Sequence, residues 1–292
     1  MFEKFVKSGS EFLEEAKSSL EWLGYLGVSH PASRYWQYIK KMQDFGVGVA
    51  DEYLERYVCD FLNSYSELLE IIKLKKAFES IDSADYVESL RKVTSGQFYR
   101  NRADQDPSRD YLFELSMAAR ILRSGYAIEL NNIADIVATI EGRRIYIEAK
   151  RVKSLQQLGK RISYANDQIK KRLAQDCSSK SRGFIAVDLT DLVNPKTQMA
   201  IASRSDSIVN MHVNDHSQFV RGNMKSLHKG KQSRTIGVFS VSSFCGASQS
   251  SEINPAELIS CRFSMFVPYD SQNATNHYYA NEVFSRFSNQ DF

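Results

Sequence analysis

Three side chains stand out for the chemistry they can do together: Asp135, Glu148 and Lys150. Ile133 to Ile140 and Arg143 to Arg151 are rich in β-branched residues, and only Glu141-Gly142 separates them, which predicts a hairpin with a two-residue turn. That turn sets Ile140 against Arg143, Val137 against Tyr146, Asp135 against Glu148 and Ile133 against Lys150. Side chains alternate across a strand, so Val137, Tyr146, Asp135, Glu148, Ile133 and Lys150 share one face of the hairpin. Carboxylates placed opposite each other repel, and an acid in the apolar run of Ile133, Val137 and Thr139 is costly to bury unpaired. A divalent cation between Asp135 and Glu148 removes both costs, and Lys150 points to the same side. Such a group can hydrolyse a phosphodiester.

Taken one at a time, Glu148 and Lys150 read more readily as solvated residues of an exposed hairpin face. Their combination with Asp135 and the turn favours a site. The pattern resembles the PD-(D/E)xK nuclease superfamily, with Asp135 as the first acid and Glu148-Ala149-Lys150 as the (D/E)xK element. The family's proline before the aspartate is replaced by Ala134, and the match spans roughly Ser108 to Asp191. This resemblance implies a restriction-endonuclease-like fold and a Mg²⁺ cofactor, with Mn²⁺ as a substitute. Asp135, Glu148 and the backbone carbonyl of Ala149 would hold the metal, and Glu114 on the preceding helix would complete the site. Lys150 would orient the attacking water and help to deprotonate it. The resemblance also implies a nucleic-acid substrate, DNA ahead of RNA, and suggests a setting in restriction or anti-phage defence. Read without it, Glu114 is as readily a solvated helix carboxylate.

The elements that must position these residues are legible around them. Asp106 and Pro107 suit a helix start, and Tyr111, Leu112, Leu115, Ala119 and Leu122 make its apolar stripe as far as Gly125. A strand over Tyr126 to Leu130 follows, then the hairpin, then a helix over Leu155 to Asp176, then a buried strand from Phe184 to Leu189. The expected class is therefore α/β (α+β), an αβββαβ core with a mixed central sheet behind an all-α N-terminal region. From residue 142 to 182, twelve lysines and arginines meet three acids, a surplus of nine, against a net charge of +3 for the whole chain. Charge focused in this way suits a polyanionic partner. Arg151, Lys153, Lys160, Arg161 and Lys171 are the candidate phosphate contacts, and Gln168 matches a glutamine that some members of the resembled family carry near the site.

Residues 1–105 read as a helical, acidic unit for oligomerisation, partner binding or regulation, and 106–292 as the nuclease-like domain with a C-terminal extension. In the extension, a helical region over Lys196 to Lys229 and strands over Thr235 to Val241 and Cys261 to Val267 are expected, with a flexible Ser-rich loop from Ser242 to Ser251. His212 and His216 lie at i, i+4 spacing but lack an acidic partner motif, so they read as a surface pair. Cys59, Cys177, Cys245 and Cys261 are widely spaced and read as reduced thiols. No signal peptide and no apolar run of membrane-spanning length is evident, so a soluble, cytoplasmic protein with no membrane partner is expected. Two other functions remain open: a nuclease-like fold retained as an inactive nucleic-acid-binding or assembly module, and a subunit whose working surface is the helical half.

Overall fold

The computed structural model describes residues 2–28, 33–44, 54–81, 83–98, 106–130, 134–195, 198–248, 257–270 and 272–287. The chain begins with a strand, β1 (Phe2–Lys7), before the helices α1 (Gly9–Tyr25), α2 (Arg34–Gln43), α3 (Leu54–Phe78), α4 (Ala84–Thr94) and α5 (Pro107–Arg123). Three short antiparallel strands follow: β2 (Ala127–Glu129), β3 (Ile136–Ile140) and β4 (Arg143–Arg151). Helix α6 (Leu155–Gln175) leads to β5 (Arg182–Asp188), which lies parallel to β4. Beyond it come α7 (Thr190–Val193), β6 (Ala200–Ala202), α8 (Ser205–Gly222) and α9 (Met224–Leu227). The long strands β7 (Thr235–Ser248) and β8 (Glu257–Pro268) precede α10 (Ala274–Tyr278), a π-turn and α11 (Phe284–Arg286). The result is one mixed sheet in the order β1-β8-β7-β5-β4-β3-β2, with β6 alongside the far end of β7.

The sheet is covered on both faces. Ile145, Ile147 and Ala149 of β4 join a core with Phe12, Tyr65, Leu69 and Leu115 from the N-terminal helices and α5. Tyr146 on the opposite face packs with Leu158, Ile162, Ala165 and Ile169 of α6. Gly183 permits that close approach, because a Cβ there would stand 2.4 Å from Ile169 Cγ2. The hairpin turn takes φ 51° at Glu141 and 69° at Gly142, two left-handed residues that match the twist of the strands they join.

Several expectations are corrected. The first residues are not helical: β1 closes the sheet edge against β8, with Phe2 opposite Phe263 and Lys7 opposite Leu258. The partner edge that supplies its hydrogen bonds lies some 260 residues away, so local periodicity does not reveal it. The division at residue 105 does not separate two cores, because β1 belongs to the sheet and α1 to α5 share one apolar cluster with it. Ser242 to Ser248 continues β7 as a mostly buried strand, and the remainder of the expected Ser-rich loop lies outside the described residues. The region from Lys196 to Lys229 also contains the strand β6, although α8 and α9 fill most of it. Among the described residues, no helix is long and apolar enough to cross a membrane.

Candidate active site

The hairpin ladder runs from Ile140↔Arg143 to Ile136↔Ile147. Asp135 stands one residue beyond its end, in register with Glu148. There its side chain replaces the missing strand, with Asp135 Oδ2 accepting the Ala149 N–H at 2.7 Å. A residue of an extended strand sends its N–H and C=O to the same edge, so the Ala149 carbonyl also points toward Asp135. Lys150 Nζ bridges the two acids, donating to Asp135 Oδ2 at 2.9 Å and Glu148 Oε2 at 3.0 Å. The sequence-predicted trio is therefore brought together, at the end of the sheet where β3 has stopped and β4 continues.

Burial makes this group electrostatically unusual. The Glu148 side chain is 1% exposed, and its Oε1 has no hydrogen-bond partner among the described residues. Burial first, and the Asp135 carboxylate second, push the Glu148 carboxyl up to about 7, against the pull of Lys150 and Arg172. Glu114, half-buried on α5, is pushed up to about 8 by burial and then by Asp135, while Lys150 pulls it back. Asp110, one turn earlier on the same helix, and Glu148 add smaller repulsions to Glu114. These couplings place Asp110, Asp135 and Glu148 within electrostatic reach of Glu114. Burial works against the Lys150 ammonium, but Asp135 and Glu148 outweigh it and its pKa rises. Lys150 is thus a cation and a donor here, which departs from the expected role as a base.

Among the described residues, no group of three or more His, Cys, Asp or Glu side chains is arranged to hold a metal. The Lys150 ammonium lies in hydrogen-bonding contact with both carboxylates and offsets part of their charge. The donor set nevertheless suits a hard divalent cation: two carboxylates, a carbonyl directed to the same edge, and the orphaned, buried Glu148 Oε1.

The expected nucleic-acid contacts separate into groups. Arg151 is not a surface cation. Its side chain points to the other face from Lys150, 4% exposed, and pairs with Asp188 at 3.3 Å, Asp110 at 3.4 Å and Asp191 at 3.5 Å. This clamp ties the end of β4 to α5, β5 and α7. Lys153 is half-buried beside it, its ammonium disfavoured by burial and then by Arg151. Lys160, Arg161 and Lys171 are exposed on α6. Gln168 is half-buried, with a buried Oε1 that lacks a partner. Arg161 acts electrostatically on Asp110 and Arg172 on Glu148. Arg161, Tyr164, Gln168 and Arg172 recur at helical spacing, so they form one stripe leading along α6 to the acids. Arg172 and Asp110 were not singled out from the sequence; the spacing of Arg172 four residues after Gln168 was the available signal.

His212 and His216 are buried, not on the surface. His216 Nδ1 and Nε2 meet Ser242 Oγ at 2.6 Å and Ser240 Oγ at 2.9 Å, while His212 Nε2 lies 3.1 Å from the Ser242 carbonyl. They bind α8 to the sheet. No family model, no characterised protein and no solved structure matches this chain.

Proposed function

We propose that the protein is a divalent-metal-dependent nuclease that hydrolyses phosphodiester bonds, with DNA ahead of RNA as substrate, and that the α5-β2-β3-β4-α6-β5 run is a restriction-endonuclease-like core. The observation that carries this reading is the meeting of Asp135, Glu148 and Lys150 at one sheet end, with the buried Glu148 Oε1 unpartnered. Asp135, Glu148 and the Ala149 carbonyl would hold Mg²⁺ or Mn²⁺, with Glu114 in support. A cation held there supplies Lewis-acid stabilisation of charge on the phosphoryl oxygens. The chain's own residues do the rest. Lys150 Nζ, released from one acid, donates to the attacking water or to a phosphoryl oxygen and so fixes its place. The raised proton affinity of Glu114 near neutral pH suits it to accept the proton that the water loses. The α6 stripe of Arg161, Gln168 and Arg172 would lead the phosphate backbone to the acids, with the exposed Lys160 and Lys171 adding affinity.

The Lys150 bridge, which pairs with both acids without a metal, favours a second reading, a nuclease-like module that binds nucleic acid or assembles with a partner and does not cut. Incubation with supercoiled plasmid, linear duplex and single strands in Mg²⁺, Mn²⁺ or EDTA separates the two. The nuclease reading expects metal-dependent cutting that a Glu148→Ala, Lys150→Ala double variant loses while still binding. Binding that ignores the metal, with no cutting of any substrate, would replace it with the second.

A further inference from the structure

Between the end of α8 and the start of β7 the chain carries Arg221, Lys225, Lys229, Lys231 and Arg234 with no acid among them, a run of cations that the proposed reaction does not use. The fold fastens this run to one flank of α6. Leu227 is buried with Leu158 and Ile162 of that helix. Asn166 Nδ2 donates to the Lys229 carbonyl at 3.1 Å, and Arg234 donates to the carbonyls of Leu173, Ser178 and Ser181. Small residues let the segment come close: a Cβ at Gly159 would stand 3.1 Å from Lys229 Cδ, and one at Gly230, where φ is 70°, would stand 2.8 Å from Ser163 Oγ.

Arg234 is taken up by this fastening, and the other cations are left over. Arg221, Lys225, Lys229 and Lys231 are exposed, and none makes an ion pair or a side-chain hydrogen bond among the described residues. The outward side of α6 beside them adds the exposed Lys160, Lys170 and Lys171 against Asp167 alone. Helical spacing sets Gly159, Ser163 and Asn166 on the opposite flank of α6 from Arg161 and Arg172, whose charges reach Asp110 and Glu148. The lysine-bearing segment therefore lies across α6 from the acids, and Tyr164, 58% exposed, stands between them. Gathering like charges costs self-repulsion, which an external polyanion removes. We propose that the segment carrying Lys225, Lys229 and Lys231 is a second anchor for the phosphate backbone of nucleic acid, continuous with the candidate active site over the outward side of α6. It rests on the reading that the protein acts on nucleic acid. A helix with its side chains is about 10–12 Å across, and the charges of one strand advance by about 3.4 Å each. The anchored phosphates thus stand roughly three nucleotides or more from the bond at the acids. The exposed Tyr164 ring between the two offers a stacking face for a base, which favours nucleic acid over a lipid headgroup or an acidic peptide.

Salt dependence tests this, read by fluorescence anisotropy on the full chain in EDTA so that cleavage plays no part. A labelled duplex, and the same strand alone, are titrated between about 50 and 200 mM salt. The proteins are the wild type, a Lys225→Gln, Lys229→Gln, Lys231→Gln variant, its counterpart with Arg at the same three positions, and a charge-matched control, Lys40→Gln, Lys76→Gln, Arg91→Gln, on the exposed helical half. Each is checked for the wild-type melting temperature. Loss of three phosphate contacts should reduce the slope of log K against log salt by about 2.7 on the duplex or about 2 on the single strand, while the Arg variant and the control keep the wild-type slope. A slope in the Gln variant no smaller than in the control overturns the proposal. So does a wild type that binds neither nucleic acid, whether or not it binds phosphatidylserine vesicles. Incubating the same duplex in Mg²⁺ separates the anchor from the nuclease reading. Cutting with an unchanged slope would keep that reading and remove the anchor; a reduced slope in a protein that cuts nothing would reject the nuclease reading and leave the anchor standing.

Discussion

Arg34 and Arg109 meet Glu67 and Asp106 deep between α2, α3 and α5, whereas Asp135, Glu148 and Glu114 gather round Lys150 at the open end of the hairpin. Both groups are buried carboxylates and cations. In the first, the charges balance, and several further donors are used as well: Arg109 Nη2 bonds Tyr38 Oη and the carbonyls of Gln97 and Phe98, and Arg34 bonds Ser108 Oγ and the Val93 carbonyl. Each group keeps a buried polar atom without a hydrogen-bond partner among the described residues, Arg34 Nε in the first and Glu148 Oε1 in the second. The difference is charge: in the second, acids outnumber the bridging cation. Buried charge alone therefore does not mark a working site. Imbalance does, because folding would not retain it without a further ligand to complete it.

If the balanced group locks α2 and α3 onto α5, removing that side of the joint should have the largest effect of all. A chain beginning at Ser108 lacks β1, Glu67, Glu70 and the helical half of the core, and is left with exposed Leu112, Leu115 and Ala118. It should show no cooperative thermal unfolding by circular dichroism. A folded fragment with a sharp transition would mean that two domains exist after all. Next in size is Glu67→Ala, which strands Arg34 as a buried charge and leaves Arg109 with Asp106 alone. The expected loss is about 3–5 kcal/mol in urea denaturation, and a loss near zero would break the contrast between the two groups.

A third measurement compares both groups with a neutral one. Burial, and then the neighbouring His212, hold the His216 imidazolium down to about 3, and burial lowers His212 as well. In the unfolded chain these rings take up protons below about pH 6.5. The folded state refuses them, so stability should fall as pH drops from 6.5 toward 3, by roughly 1.4 kcal/mol per pH unit from His216, with His212 adding in the same direction. Urea midpoints at pH 7 and pH 5 would show it, and His216→Gln should flatten the slope. A slope that persists unchanged in the variant would assign it to other groups.

What the sequence made legible followed from local rules. Glu141-Gly142 fixed the hairpin register, and through it the pairing of Asp135 with Glu148, because a two-residue turn permits no slip. The stripe through Leu158, Ile162, Ala165 and Ile169 made α6 visible for the same reason. Features that depend on distant partners stayed hidden. Nothing near Phe2 announces β8, and nothing near Arg151 announces Asp110 or Asp191, so a clamp passed for a phosphate contact. The i, i+4 spacing of His212 and His216 shows that they share a helix face but not that Ser240 and Ser242 cover it.

The smallest expected change is also the sharpest test of the contrast. Glu148→Gln keeps the shape of the side chain and its contact with Lys150 but removes one of the converging negative charges from a site where it is 1% exposed. Desolvation and the facing Asp135 both work against that charge, and the Lys150 bridge only partly offsets them. In EDTA the substitution should therefore leave stability unchanged or raise it by roughly 1 kcal/mol, while cleavage in Mg²⁺ falls at least roughly a hundredfold. The opposite sign to Glu67→Ala is what matters. Two buried carboxylates would then differ in what their removal does, one holding the helices to each other and the other destabilising the fold in favour of the chemistry it supports. If Glu148→Gln instead costs several kcal/mol with cleavage unaltered, the hairpin trio is a second structural interlock and the catalytic groups must be sought elsewhere.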